Sequence, residues 1–168
     1  MLKDYMYNGS KTFHIQKAST DETTHCSSKE DAEKKMAENE KKLDELQQKL
    51  YADKKEGLIV VFQAMDAAGK DGTIAHVLQC LSPHGVYEAA FKAPSSTELA
   101  HDFLWRIAQQ VPAKGEIAIF NRSHYEDVLI GKVKQLYKSQ AHAKRIKEDE
   151  IIERRYKDIQ HFEEYLYQ

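Results

Sequence analysis

Cysteine, proline and tryptophan are scarce in this chain of 168 residues, which contains two, three and one of them. Cys26 and Cys80 have no CxxC partner spacing, so they form neither a redox pair nor half of a zinc site, and both thiols are expected to stay reduced. Long apolar runs are missing too. The longest, at residues 58–62, has five residues, against roughly 18 for a bilayer span, so no membrane helix is expected. Met1-Leu2-Lys3-Asp4 opens no basic segment followed by an apolar stretch, and with neither leader nor anchor legible the cytoplasm is the default compartment. A dominant sign of charge is also absent. The 25 Lys and Arg nearly cancel 27 Asp and Glu, which excludes a general nucleic-acid or membrane-surface binder and confines any polyanion site to a local patch. The eight histidines show no HxH or HExxH spacing, so a transition-metal site is not expected.

What remains, 41% hydrophobic and 31% charged residues, suits one globular domain with long polar helices. Residues 1–28 mix Tyr5, Tyr7, Phe13 and Ile15 with Gly9, Ser10 and a Ser-Thr-Asp stretch, and read as an irregular arm laid over a surface. Across 29–56 eight basic and nine acidic residues alternate, with Ala32, Met36, Leu43, Leu46 and Leu50 at helical spacing. This predicts one amphipathic helix, started by a Ser27/Glu30 capping box and ended by Gly57.

From 57 to 120 short β-branched runs alternate with helical stretches. Strands are predicted at 58–62, 86–91 and 117–120. Between them fall one helix carrying Ile74, Val77, Leu78 and Leu81 and another carrying Leu99, Phe103, Ile107 and Val111, the latter capped by Ser95 and Glu98. Strand and helix in alternation imply a parallel sheet with helices on both faces, a three-layer α/β fold whose first and third strands are apolar enough for a buried centre. The last fifty residues read as helical. Their stripe of Ile152, Tyr156, Ile159, Phe162 and Leu166 is still running at Gln168. That open stripe and the small size of a three-stranded sheet point to a C-terminal continuation, and the stripe itself offers a surface for a second helix, as in a homo-oligomer.

The first strand leads straight into Gln63-Ala64-Met65-Asp66-Ala67-Ala68-Gly69-Lys70-Asp71-Gly72-Thr73 and then a helix. Small residues in that setting let backbone N–H groups converge on an anion at a helix N-terminus, and Lys70 adds a mobile positive charge. The loop departs from GxxxxGK[ST] twice, with Ala64 for the first glycine and Asp71 for the metal-binding hydroxyl. Ala64 is tolerable only at negative φ. Asp66 is a hard oxygen ligand suited to Mg²⁺ beside bound phosphates. The simpler reading is a tight turn with an exposed lysine.

The third strand ends at Asn121-Arg122-Ser123-His124-Tyr125-Glu126-Asp127, and ligands in open parallel sheets collect outside the carboxyl ends of strands. Phosphoryl transfer needs cations on the phosphate oxygens, for which Arg122 is suited, and metal ligands, for which Asn121, Glu126 or Asp127 serve. An acidic first helical turn accounts for Glu126 and Asp127 equally well.

The loop, the segment His101-Asp102-Phe103-Leu104-Trp105-Arg106, and Phe120-Asn121-Arg122-Ser123-His124-Tyr125-Glu126-Asp127-Val128-Leu129 together resemble polyphosphate kinase family 2, flanked by Leu50-Tyr51-Ala52 and Glu153-Arg154-Arg155-Tyr156. The resemblance covers nearly the whole chain. It implies a P-loop kinase fold and Mg²⁺-dependent phosphoryl transfer between inorganic polyphosphate and adenine nucleotides, in the subgroup that accepts AMP and ADP. By position it implies Asp66, Lys70 and Arg122 as the catalytic set and Asp66 with Asp127 as metal ligands. Phosphate and nucleotide contacts would come from Ala67, Ala68, Gly69, Lys70, Asp71, Gly72, Lys92, Arg106, Asn121, Tyr125 and Glu126. Asn121 stands where many relatives carry Asp. Those relatives continue into further strands and a helical lid, so the sequence up to Gln168 is expected to bind phosphates and transfer them poorly. An impaired binding fragment and an ATP-dependent nucleotide kinase are the alternatives. Between 132 and 157 nine Lys or Arg face four acids; this is a polyphosphate channel border or a solvated surface.

Overall fold

The computed structural model describes residues 5–19 and 23–168, so the reading of the opening Met1-Leu2-Lys3-Asp4 and the Thr20-Asp21 part of the arm fall outside the described residues. The arm shields little with its own side chains. Phe13 and Ile15 remain 57% and 78% exposed.

Helix α1 runs Lys29–Asp53. Its N-cap is Ser28, whose Oγ accepts from the Asp31 amide at 3.2 Å, while the Asp31 carboxylate accepts from the Ser27 amide at 3.0 Å. The cap therefore sits one residue beyond the expected Ser27/Glu30 pair. The helix ends at Lys54, left-handed at φ 52°, whose N–H donates to the Leu50 carbonyl, so Gly57 is not its terminator. Gly57 instead lies against Pro112 and Ala113, where an added Cβ would meet the Ala113 carbonyl at 3.1 Å, a tight contact. The buried face of α1 centres on Leu43, Gln47 and Leu50, whereas Met36 and Leu46 point to solvent.

Three parallel strands, β1 Leu58–Phe62, β2 Val86–Ala90 and β3 Ile117–Asn121, pair in the order β1-β3-β2. Alternation along β3 sorts the core. Ile117 and Ile119 pack with Val60, Phe62 and Val86 beneath α1 and helix α2, Lys70–Leu78. Ala118 and Phe120 pack with Ile59, Val61, Ala89 and Phe91 on the opposite face, which is covered by Ile107 and Phe162. Phe91 meets Phe120 edge-on at 5.0 Å. The fold is thus three-layer α/β with helices on both faces. β3 is central, as its sequence predicts; β1 is an edge strand, its first residue Leu58 47% exposed. An unbroken apolar run reports helices on both faces of a strand and says nothing about its neighbours.

Ser95 and Glu98 form the predicted capping box, but the helix beyond it is not continuous. α3, Ser96–Leu99, and α4, Trp105–Ala108, are separate single turns, because Asp102 accepts from the Leu104 amide at 3.0 Å and turns the chain between them. The C-terminal fifty residues are likewise less helical than expected. They form a 3₁₀ turn at His124–Asp127, a short α5 at Ile130–Val133, two further 3₁₀ turns, and one long helix, α6, at Ile151–Tyr167. The buried side of α6 is Ile151, Ile152, Arg155 and Ile159, while Tyr156 is 37% exposed. Among the described residues no helix is long and apolar enough to cross a membrane.

Candidate active site

β1 delivers the chain into a loop that closes on itself. The Ala68 amide donates to the Met65 carbonyl at 3.2 Å, and Gly69, left-handed at φ 81°, caps α2. Its carbonyl accepts from the Thr73 amide at 2.9 Å and from Thr73 Oγ1 at 3.0 Å. The amides opening α2 have no partner within the helix, which leaves donors free at the positive end of its dipole. A Cβ added at Gly69 or Gly72 would meet nothing within 4 Å, so the surface at both glycines is open. Ala64 is not among the residues with positive φ; that strain falls on Ala67 at φ 62°.

Two cations overlook the loop, and each is held by a carboxylate. Lys70 Nζ, its side chain 11% exposed, donates to Asp71 Oδ1 at 2.7 Å and to Asn121 Oδ1. These contacts hold the Asp71 carboxyl below the usual carboxylate range, the Lys70 hydrogen bond contributing most. Asn121 Nδ2 donates to Asp71 Oδ1 at 2.9 Å and to Glu88 Oε1 at 2.7 Å. Arg122 donates to Asp66 Oδ1 at 2.5 Å. Its backbone is left-handed at φ 65°, and its amide continues the ladder to the Phe62 carbonyl at 3.0 Å. The ends of β1 and β3 thereby bring Asp66, Lys70, Asp71, Asn121 and Arg122 together, five residues named from the sequence.

Glu126 is linked to this group through Gln63, whose Nε2 donates to its carboxylate. Tyr125 turns the other way. Its hydroxyl donates to Glu163 on α6, which also faces His124 Nε2 at 3.3 Å. Burial, then the Glu163 contact, pushes the Tyr125 phenol up to about 12. Burial also lowers the His124 imidazole below its ordinary value, against the opposing pull of Glu163.

Asp127 does not join the loop. Its side chain, 12% exposed, lies 3.4 Å from Arg155 and 3.8 Å from Arg106, both guanidiniums being buried themselves. Burial raises its carboxyl while the two arginines pull it down. A carboxylate committed to two guanidiniums anchors charge, and the structure does not bring Asp127 to Asp66, the residue with which it is expected to share a metal. Arg106, expected on phosphate or nucleotide, also donates to the Lys92 carbonyl at 2.8 Å and sits over the Phe91 ring. The Lys92 contact is through its backbone. Arg106, Asp127 and Arg155 are among the residues lining a cavity of about 900 Å³ between α3, α4 and α6, together with His101, Phe103 and His142.

No group of three His, Cys, Asp or Glu side chains among the described residues is placed to hold a metal by itself. Mg²⁺ does not require one, since it keeps several waters and takes one or two carboxylates together with phosphate oxygens. Asp66, 90% exposed beside the open loop, fits that demand. Glu88 and Glu163 escaped the sequence reading. Glu88 carried a signal, being an acid on the same face of its strand as Val86, whose side chain packs in the core; Glu163 carried none.

The model of the family "Polyphosphate kinase 2 (PPK2)" matches residues 26–168. The chain is 42% identical over 166 residues to the AMP/ADP-polyphosphate phosphotransferase of Meiothermus ruber, covering 98% of this chain and 58% of that protein. It is 54% identical over 92 residues to the ADP-polyphosphate phosphotransferase of Rhodopseudomonas palustris, 55% of this chain and 32% of that one. The crystal structure of polyphosphate kinase 2 from Arthrobacter aurescens TC1 superimposes with a TM-score of 0.84 at 39% identity, over 98% of this chain and 56% of that chain. The sequence thus spans a little over half the length of these two long matches, those from Meiothermus and Arthrobacter. Family match, fold and motif placement agree: the chain belongs to the polyphosphate kinase 2 family.

Proposed function

We propose that residues 57–168 form a phosphotransferase core that moves a terminal phosphoryl group between inorganic polyphosphate and adenine nucleotides, AMP and ADP, with Mg²⁺. The segment at 29–56, most of it helix α1, braces this core and the arm at 1–28 is accessory. The observation that carries the reading is the convergence of Lys70 and Arg122 on the open loop between β1 and α2. The substrates are those in the name of the Meiothermus relative.

The polyphosphate end lies on the amides of Ala67, Gly69, Lys70, Asp71 and Gly72, the Ala68 amide being engaged by the Met65 carbonyl. An anionic terminal oxygen of the nucleotide attacks the end phosphorus in line, the bridging P–O bond breaks, and the shortened polymer leaves with the bond's electrons. The attacking oxygen is already deprotonated, so no general base is required, and the site's work is positioning and charge neutralisation. Lys70 and Arg122 supply cations for the equatorial oxygens. Asp66 is the chain's donor to Mg²⁺, which when bound neutralises further phosphate charge. Asn121 keeps Lys70 inside the loop. The cavity walled by Arg106 is of a size that fits a nucleotide. Asp127 lines it, the neighbouring Glu126 is held by Gln63 at the end of β1, and we assign it to the acceptor.

A luminescence assay of ATP made from polyphosphate, ADP and Mg²⁺ tests this. ATP formation well above a Lys70→Ala control supports the reading. ADP made from ATP and AMP without polyphosphate assigns an ATP-dependent kinase instead, and phosphate binding without turnover in either assay assigns a binding module.

A further inference from the structure

An asparagine amide has two ends of nearly equal shape and opposite polarity, so its surroundings decide which way it faces. At Asn121 the surroundings are unusually decisive. Nδ2 lies 2.7 Å from Glu88 Oε1 and 2.9 Å from Asp71 Oδ1, while Oδ1 faces the Lys70 ammonium. Inverting the amide would set its oxygen against two carboxylates and its NH₂ against a cation, turning three attractive contacts repulsive.

The two acids are not equivalent. Asp71 is also paired with Lys70 at 2.7 Å, whereas Glu88 is in no ion pair among the described residues, and its hydrogen bond to Asn121 is the contact its carboxylate makes. Sheet register explains the meeting. Glu88 pairs with Ile119 and Ala90 with Asn121, so Glu88 and Asn121 are diagonal neighbours on the α2 face. β2 is an edge strand and Glu88 is exposed, so its side chain is free to turn to water, yet it is aimed at the amide.

We propose that Glu88 is a positioning residue of the phosphate site, fixing the Asn121 amide so that its carbonyl oxygen holds the Lys70 ammonium within the loop. This rests on the reading of that loop as the polyphosphate end site. An ammonium already placed over the amides spends less conformational freedom on capturing an anion than one that must be recruited from solvent.

A carboxylate at position 121 makes the proposal testable, because its two oxygens are equivalent and leave no orientation to fix. Glu88 would then only repel it. Calorimetric titration of the full chain with inorganic triphosphate is run on wild type, Lys70→Ala, Glu88→Ala, Asn121→Asp and the Glu88→Ala/Asn121→Asp double variant, with thermal melts confirming that each is folded. Glu88→Ala is expected to weaken binding roughly 3- to 10-fold beside Asn121, and to leave binding unchanged or tighten it beside Asp at that position. Glu88→Gln, which keeps an acceptor oxygen, is expected to fall between wild type and Glu88→Ala, and serves in place of Glu88→Ala should that variant not fold. Equal weakening in both backgrounds, or none beside Asn121, overturns the positioning role and leaves the phosphate site intact. Undiminished binding by Lys70→Ala overturns the reading beneath it.

Discussion

Arg122 closes on Asp66 across 2.5 Å, joining the end of β3 to the loop after β1 and neutralising, in the free protein, the two groups proposed to handle phosphate and metal. A phosphate entering the loop must win the guanidinium from that carboxylate.

Asp66→Asn is therefore expected to have effects of opposite sign. Without Mg²⁺, triphosphate should bind about 2- to 5-fold tighter, the scale of one exposed ion pair. Mg²⁺-dependent turnover should fall at least about tenfold, since the chain's proposed metal donor is gone. Calorimetry and the ATP-forming assay read the two effects, and weakened binding without metal would contradict the competition.

The backbone of Arg122 is left-handed at φ 65°, a conformation that costs a residue with a Cβ about 1 kcal/mol and glycine almost nothing. Arg122→Gly is expected to raise denaturant stability by about 1 kcal/mol while reducing turnover on the order of 100-fold. A variant less stable than wild type would show that the guanidinium contributes more to packing than to chemistry.

His124 is buried and its Nδ1 has no hydrogen-bond partner among the described residues. Burial lowers its imidazole below the ordinary 6.5, so the folded chain binds fewer protons there than the unfolded one. The associated stability is complete above that ordinary value and is lost as pH falls through the depressed one. The melting temperature should decline on acidification from about pH 7 to 5, and His124→Phe should flatten that decline. An unchanged slope would place the acid sensitivity elsewhere.

Asp127 lies between the buried guanidiniums of Arg106 and Arg155. Asp127→Ala leaves both without their carboxylate and is expected to cost about 3 kcal/mol in denaturant unfolding. A weakened Mg²⁺ requirement at unchanged stability would restore Asp127 as a metal ligand.

Phosphate-loop chemistry is legible in this sequence because its parts are neighbours along the chain: the loop acid, the glycine cap and Lys70 lie within five residues. Ile117 to Phe120 announce a strand covered on both faces by carrying no polar residue. The unread parts depend on distance in sequence or on side chains overruling periodicity. Glu88 reaches Asn121 across 33 positions and Glu163 reaches Tyr125 across 38, separations at which no local pattern links partners. Spacing at fours joined Leu99 to Val111 in one helix, and a single hydrogen bond from the Leu104 amide to Asp102 divides it. Arg155 belongs to the basic stretch that reads as a polyphosphate channel border or a solvated surface, and its burial beside Asp127 and over the Phe103 ring is a tertiary fact.

The central claim is that the amides opening α2 and the Lys70 ammonium capture a phosphate chain. Titration of ¹⁵N-labelled protein with inorganic triphosphate, followed by amide shifts residue by residue, tests it most directly. The account predicts the largest shifts at 67–72, abolished by Lys70→Ala. Shifts confined to the basic segment at 132–147, with residues 67–72 unmoved, would contradict it.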